Sequence, residues 1–217
     1  MKTERKALAK NQRREAILDK IQPLVFERGF DSLTIDDFAE AAQYTKRSLY
    51  HYFPDRDHIF FALVARGQKI LVHVLREAEL KAPIGRNGVR MFGATFYEFS
   101  TKNPEYFELW MSYESRRHRY QMGRSAVVDD YDGLDICHNL SIDLAEIMIR
   151  WLAAEKKAGR LKTRATPIQL MLLFWGQIYG VMQILLMRQH GFEGTYGTAA
   201  KKLFDTFVHG LINSYWK

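Results

Sequence analysis

The chain has 217 residues, 47% hydrophobic and 26% charged, which is material for one large or two small folded domains and unlike a disordered composition. A formal net charge of +7 favours an anionic partner without naming it. The single cysteine, Cys137, excludes an intrachain disulfide and a cysteine-based zinc site, in keeping with a reducing cytoplasmic setting. The basic N-terminus lacks the apolar stretch of a signal peptide.

Residues 1–14 hold Lys2, Arg5, Lys6, Lys10, Arg13 and Arg14 against one acid, Glu4. They read either as a basic arm reaching phosphates or a minor groove, or as a solvated tail. A first helix is predicted to begin between Lys6 and Lys10, with Ile17, Leu18, Ile21, Leu24, Val25 and Phe26 on its apolar face. Pro23 removes a hydrogen bond near its end and predicts a bend. Gly29 is expected at C′, with Phe30 packing back on Val25 in a Schellman-type close.

Thr34 then stands before an apolar residue and three before Asp37, the spacing of a capping box. Leu33 and Phe38 are placed as its hydrophobic staple. Thr45 restarts the pattern, with Tyr44 and Leu49 as a second staple. Only Gln43 and Tyr44 separate the two helices, too few residues to make antiparallel neighbours, so a steep helix-turn-helix crossing is expected. Leu49 and Phe53 face inward, leaving Lys46, Arg47, Tyr50 and His51 toward solvent. Cations at a helix start oppose the macrodipole, which argues for a phosphate-bearing or base-bearing partner over a plain solvated face.

These residues resemble the TetR (tetracycline repressor-like) family of transcription regulators. The matching pattern runs from Ile17 through Phe26, Gly29-Phe30, Thr34-Ile35, Phe38-Ala39, Thr45-Lys46, Ser48-Leu49-Tyr50 and Tyr52-Phe53 to Pro54-Asp55-Arg56-Asp57. This sequence departs from the family at Gln43, where Gly is usual, and at Arg47, where a small residue is usual. The resemblance implies phosphate contacts at Thr34, Thr45, Lys46 and Arg56, and base-edge candidates at Arg47, Ser48, Tyr50 and His51, with Tyr50 also able to grip a phosphate.

Asp55 is placed to cap a long helix reaching about Leu80, with Phe60, Leu63, Val64, Leu71, Val74 and Leu75 in one stripe. This helix, residues 55–80, would link an N-terminal domain of residues 1–57 to a second domain of residues 58–217 and transmit between them. A break is expected at Ala82-Pro83-Ile84-Gly85, then a helix over about 87–100 carrying Met91, Phe92, Thr95, Phe96 and Phe99. Asn103-Pro104 is read as cap and N1 of the next helix. Residues 116–132 are polar and glycine-punctuated, a loop or frayed helix. A helix from about Leu134 to Ala158 presents Leu140, Leu144, Ile147 and Trp151 and closes at Gly159.

Thr166-Pro167 opens a helix containing twenty uncharged residues, Ile168 to Met187. That length can span a membrane, or the helix can be buried between a core and a partner subunit. Gln169, Gln177 and Gln183 and the lack of a framing aromatic belt favour the second, so no membrane partner is expected. The segment from about Thr195 to Trp216 is amphipathic. Family members dimerise through such terminal helices, which implies a homodimer through about 166–190 and 195–216.

No strand alternation and no repeat are evident. No Gly-x-Ser-x-Gly, phosphate-cradling glycine loop or His-Glu-x-x-His occurs, and Asp135-Ile136-Cys137-His138 is a lone, weak echo of a di-iron motif, so neither an enzyme nor a metal or other cofactor is expected. The second domain is aromatic-rich: Phe96, Phe99, Phe107, Trp110, Tyr113, Trp175 and Tyr179 are either core or the lining of a ligand cavity. Glu114, on an otherwise apolar face, either pairs with an internal arginine or orients a polar ligand. The resemblance implies a cavity there whose small-molecule effector alters DNA affinity. The reading is therefore an all-α protein, a three-helix helix-turn-helix DNA-binding domain plus a helical ligand-binding and dimerisation domain. Its expected role is a homodimeric regulator of a palindromic operator, commonly a repressor, with control by a protein partner or by nothing as the alternative.

Overall fold

The apolar spacing of Ile17, Leu18, Ile21 and Val25 is realised in α1 (Lys2–Arg28), where all four are buried. The computed structural model describes residues 2–81, 85–122, 133–187 and 191–217, and within them the fold is all-α. α1 starts several residues earlier than its apolar pattern suggests, because the basic N-terminal segment is itself helical, and it continues through Pro23. Gly29 has φ 75 and ψ 143, so α1 ends without a Schellman close and enters a 3-10 turn, Phe30–Ser32. α2 (Ile35–Ala42), α3 (Lys46–Tyr50) and α4 (Arg56–Lys81) follow. Asp55 Oδ1 accepts from His58 N at 2.9 Å and so caps α4.

Next come α5 (Arg86–Lys102), α6 (Pro104–Met122), α7 (Gly133–Lys157), α8 (Pro167–Met187), α9 (Phe192–Tyr196) and α10 (Ala200–Tyr215). Pro104 takes N1 of α6, but the Asn103 side chain turns back and donates to Phe99 O at 3.0 Å, closing α5. α6 runs on through Arg116 to Met122, so that part of the expected polar loop is helix; residues 123–132 lie outside the described residues, as do 82–84 and 188–190. Gly159, at φ 68, closes α7: its N–H donates to Lys156 O and Arg160 N to Glu155 O, a Schellman motif. Thr166 and Gln169 form a reciprocal capping box at the start of α8.

The chain divides into two compact units, Met1–Gln68 with Glu105–Asn139, and Lys69–Pro104 with Leu140–Lys217. The first holds the helix-turn-helix, the beginning of α4, and most of α6 with the start of α7. Its core includes Phe38, Leu49, Phe53, Phe60, Leu63 and Tyr113. Arg66 of α4 ties α1 into it, donating to Glu15 Oε2 and Asp19 Oδ1 at 2.6 and 2.8 Å. α4 and α6 approach so closely that a Cβ on Gly67 would lie 2.9 Å from Tyr106 Cβ.

The second unit is built round packed aromatic rings. Trp216 lies 5.7 Å from Trp151 and 5.9 Å from Phe174, and Phe92 packs on Trp151 at 5.2 Å. Beside them the buried Glu155 carboxylate accepts from Trp216 Nε1 at 3.0 Å, Gly85 N at 3.1 Å and Arg160 Nη2 at 2.8 Å. Gly93 lets α5 meet α10, since a Cβ there would stand 3.0 Å from Val208.

Candidate nucleic-acid interface

The helix-turn-helix is held by three local devices. Thr34 caps α2: Asp37 N donates to Thr34 Oγ1 at 3.3 Å, and Thr34 N and Oγ1 donate to Asp37 Oδ2 at 2.7 and 2.6 Å. The hydrogen bonds from Thr34 hold the Asp37 carboxyl below its usual range. At the turn, Gln43 adopts the left-handed conformation, φ 60 and ψ 42, while Gln43 N donates to Glu40 O and Tyr44 N to Ala39 O. This is a Schellman close with glutamine at the position that suits glycine. Lys20 of α1 braces it, its Nζ donating to Ala42 O at 3.3 Å and to Gln43 Oε1 at 3.1 Å. Thr45 then caps α3, accepting from Ser48 N at 3.1 Å and donating to Ser48 Oγ at 2.9 Å.

α3 is fixed from within by Leu49 and from its end by Phe53, neither of which has any exposed surface. Lys46, Arg47, Ser48, Tyr50 and His51 are all exposed. Lys46 reaches Asp36 at 3.0 Å, a surface pair worth between nothing and about 1 kcal/mol and so readily exchanged for another anion. Arg47 has no ion pair or side-chain hydrogen bond with any described residue. The His51 ring sits edge-on to Tyr52 at 5.1 Å. The site residues expected on α3 and at its C-cap are thus all solvent-exposed, while the hydroxyls of Thr34 and Thr45 are engaged as caps.

Arg56 is placed differently. Its guanidinium lies 4.2 Å over the Phe30 ring, with Nε donating to Leu33 O at 3.0 Å and Nη2 to Phe30 O at 2.5 Å. It anchors the strand of chain leading into α2. Arg116 of α6 grips the same stretch, donating to Asp31 Oδ1 at 3.0 Å and also to Oδ2. That hydrogen bonding holds the Asp31 carboxyl below its ordinary value. Arg14, buried in the first unit, donates from Nε to Tyr52 O at 2.8 Å. Sequence reading missed these tethers: Lys20, Asp31 and Arg116 are ordinary surface charges until the fold closes, and Arg116 is 85 residues from its partner.

The aromatic residues proposed for a ligand fall into both units. In the first, Phe107, Trp110 and Tyr113 are buried on α6, with Phe107 and Trp110 rings 6.2 Å apart. Glu114 accepts from Trp110 Nε1 at 3.3 Å and lies 3.7 Å from Arg117, so it has an internal arginine beside it. Arg117 also contacts His138 Nδ1. Burial pushes the Tyr113 hydroxyl well above its ordinary value. In the second unit Phe96 and Phe99 are buried, Phe96 lies 6.2 Å from Trp175, and Trp175 lies 6.4 Å from Tyr179. Among the described residues no three His, Cys, Asp or Glu side chains converge as metal ligands.

Residues 17–63 match the family described as "Bacterial regulatory proteins, tetR family". An uncharacterized HTH-type transcriptional regulator of Haemophilus influenzae is 27% identical over 105 residues, 48% of this chain and 51% of that protein. The match thus spans about half the length of that curated relative. A TetR family transcription regulator from Marinobacter aquaeolei VT8 superposes with a TM-score of 0.64 at 18% identity, covering 97% of this chain and 99% of that one. The MbdR regulator from Azoarcus sp. CIB gives a TM-score of 0.64 at 18% identity over 93% and 98% of the two chains. A SmeT–triclosan complex gives 0.63, also at 18%, over 95% and 92%. At these identities the likeness is one of fold.

Proposed function

We propose that this chain, a transcriptional regulator of the tetR family, acts as a homodimer that grips a palindromic operator and lets go when a small molecule binds outside the helix-turn-helix. The observation that carries the DNA reading is α3 itself. Five exposed polar or cationic side chains, Lys46, Arg47, Ser48, Tyr50 and His51, stand on a short helix whose inward residues are wholly buried. Side chains that must find base edges are most useful on a scaffold that does not move. Arg47, Ser48, Tyr50 and His51 are assigned to base edges, and Lys46 to a phosphate it takes in exchange for Asp36. Thr34 and Thr45 orient the two helices through their caps, each able to contact a phosphate only by turning its O–H from Asp37 or Ser48 to donate to the phosphate oxygen, and Arg56 holds the lead-in to α2.

Two such heads enter successive major grooves when their separation is about 34–36 Å. Support for a dimer comes from α8, whose Ile168, Leu172, Leu173 and Ile184 are exposed on a helix with no charged side chain. A monomer in water would leave this face wet. α8 is also long and apolar enough to cross a membrane, so a need for detergent to keep the chain in solution would count against the dimer and the proposed cytoplasmic location.

The effector is proposed to lie within one unit, against Phe107, Trp110 and Tyr113 with Glu114 in the first or against Phe96, Phe99, Trp175 and Tyr179 in the second. SmeT, a protein of this fold, was solved with triclosan. Release requires that the effector favour a state whose heads no longer match the operator, since equal affinity for both states shifts nothing.

Alanine variants at Arg47 and Lys46 test the DNA assignment. R47A should cost about 1–3 kcal/mol on the selected operator and relax the preference at one base pair. K46A should weaken all duplexes alike and flatten the salt dependence by about 0.9 in log–log slope for each phosphate it had neutralised. Identical profiles for the two would overturn the division of roles, and unchanged binding in both would overturn the interface.

A further inference from the structure

The family match begins at residue 17, yet α1 begins at Lys2, so about four turns of helix precede the matched region. We infer that the basic face of this extension, exposed Lys6 and Arg13 with half-buried Lys10 between them, is a second DNA contact that lies along the phosphate backbone flanking the half-site read by α3. The inference rests on the DNA reading and extends its footprint.

The face is defined by what its neighbours touch. Glu15 and Asp19 mark the side of α1 turned toward α4, where Arg66 holds both. Lys20 marks another side, where it reaches the α2–α3 turn, and the buried Arg14 marks its inner edge, reaching Tyr52 O one residue past the exposed Tyr50 and His51. Lys10 and Lys6 stand four and eight residues before Arg14, on its ridge. Arg13 and Lys6 stand seven and fourteen before Lys20, again nearly in line with it. The cations therefore continue, turn by turn, from the side of α1 that adjoins the reading head.

None of Arg5, Lys6, Lys10 or Arg13 forms an ion pair or side-chain hydrogen bond with a described residue. From Lys6 to Arg13 the axis advances about 10 Å, against one phosphate charge per roughly 1.7 Å of duplex. A helix about 10–12 Å across does not fit a groove about 6 Å wide, so of the phosphate and minor-groove contacts read for this segment the inference takes the phosphates.

The test uses the full chain, an operator selected from a randomised duplex pool, and two lengths of it: the palindrome alone and the palindrome with a helical turn of flank on each side. The combined variant Lys6→Gln, Lys10→Gln, Arg13→Gln keeps helix-compatible side chains and is checked for unchanged helicity. On the flanked duplex it should bind about tenfold or more weakly, with a salt slope smaller by about 0.9 for each phosphate no longer neutralised, and with base preferences intact. The unaltered chain should lose comparable affinity when the flanks are removed, and the variant should not. If the unaltered chain binds the operator but neither the substitutions nor trimming the flanks changes affinity or slope, the inference fails alone. If the unaltered chain binds no duplex, the DNA reading fails and takes the inference with it.

Discussion

At the scale of single residues, Gln43 carries the backbone strain of the turn. An L-residue in the left-handed region costs about 1–2 kcal/mol relative to ordinary conformations, and Gln43 is the one non-glycine residue with positive φ among those described. The hydrogen bond from Lys20 to its side chain offsets part of that cost. Q43G should stabilise the chain by about 0.5–1 kcal/mol, the relief of strain exceeding the extra freedom glycine gains when unfolded. Q43V, β-branched at the same φ, should destabilise it, and urea titrations of both variants decide the matter. A loss of stability in Q43G would mean that Lys20 contributes more than the backbone conformation costs.

At the scale of elements, the capping signals were legible because their partners lie three residues apart. Thr34 pairs with Asp37 as its spacing suggests, and Thr45 and Thr166 cap their helices as read, through Ser48 and Gln169, which the sequence reading did not single out as partners. Asn103 shows the limit of such reading: it lies between two helix ends, and its amide serves the carbonyl behind it. Gly29 shows another, since a positive φ does not dictate ψ, and here the chain leaves α1 for a 3-10 turn. Arg56 read as a phosphate contact from its place at the first turn of α4. Nothing local announced that Phe30 and the Leu33 carbonyl would receive it. α8 was legible in composition but not in use, because an uncharged helix suits a core, a partner or a lipid phase alike. Its exposed Leu172 supplies the test. L172E should leave the fold of the protomer unchanged and raise the dimer dissociation constant about tenfold or more, as burying a leucine is worth about 1.5–3 kcal/mol. Sedimentation equilibrium reads this directly, and an unaltered chain that is monomeric at working concentrations would remove the dimer.

At the scale of the whole molecule, acid should loosen the structure through carboxylates held below their ordinary values. Burial raises the Glu155 carboxyl, but hydrogen bonds from Arg160, Trp216 and Gly85 outweigh it and the net direction is down. Asp31 is lowered chiefly by its hydrogen bond from Arg116. A depressed folded pKa gives stability that is present above the unfolded value, 4.5 for Glu and 3.8 for Asp, and is lost as pH falls through the folded one. Asp57 has the opposite sign: burial and the charge of Asp55 raise its carboxyl, so its protonation partly compensates. The melting temperature should therefore fall below about pH 4.5, and E155Q should be less stable near neutrality by about 1–3 kcal/mol while showing a shallower acid decline. A decline as steep in E155Q as in the unaltered chain would assign acid sensitivity elsewhere.

The first compact unit draws on two separate stretches of chain, and the second of them carries Arg116, which holds Asp31 in the lead-in to α2. The element proposed to read DNA is consequently not a portable N-terminal cassette. Grafting the opening helices onto another scaffold would take Arg116 away from Asp31, and under the proposed function an inherited change at Arg116 would bear on DNA reading even though the motif ended more than fifty positions earlier.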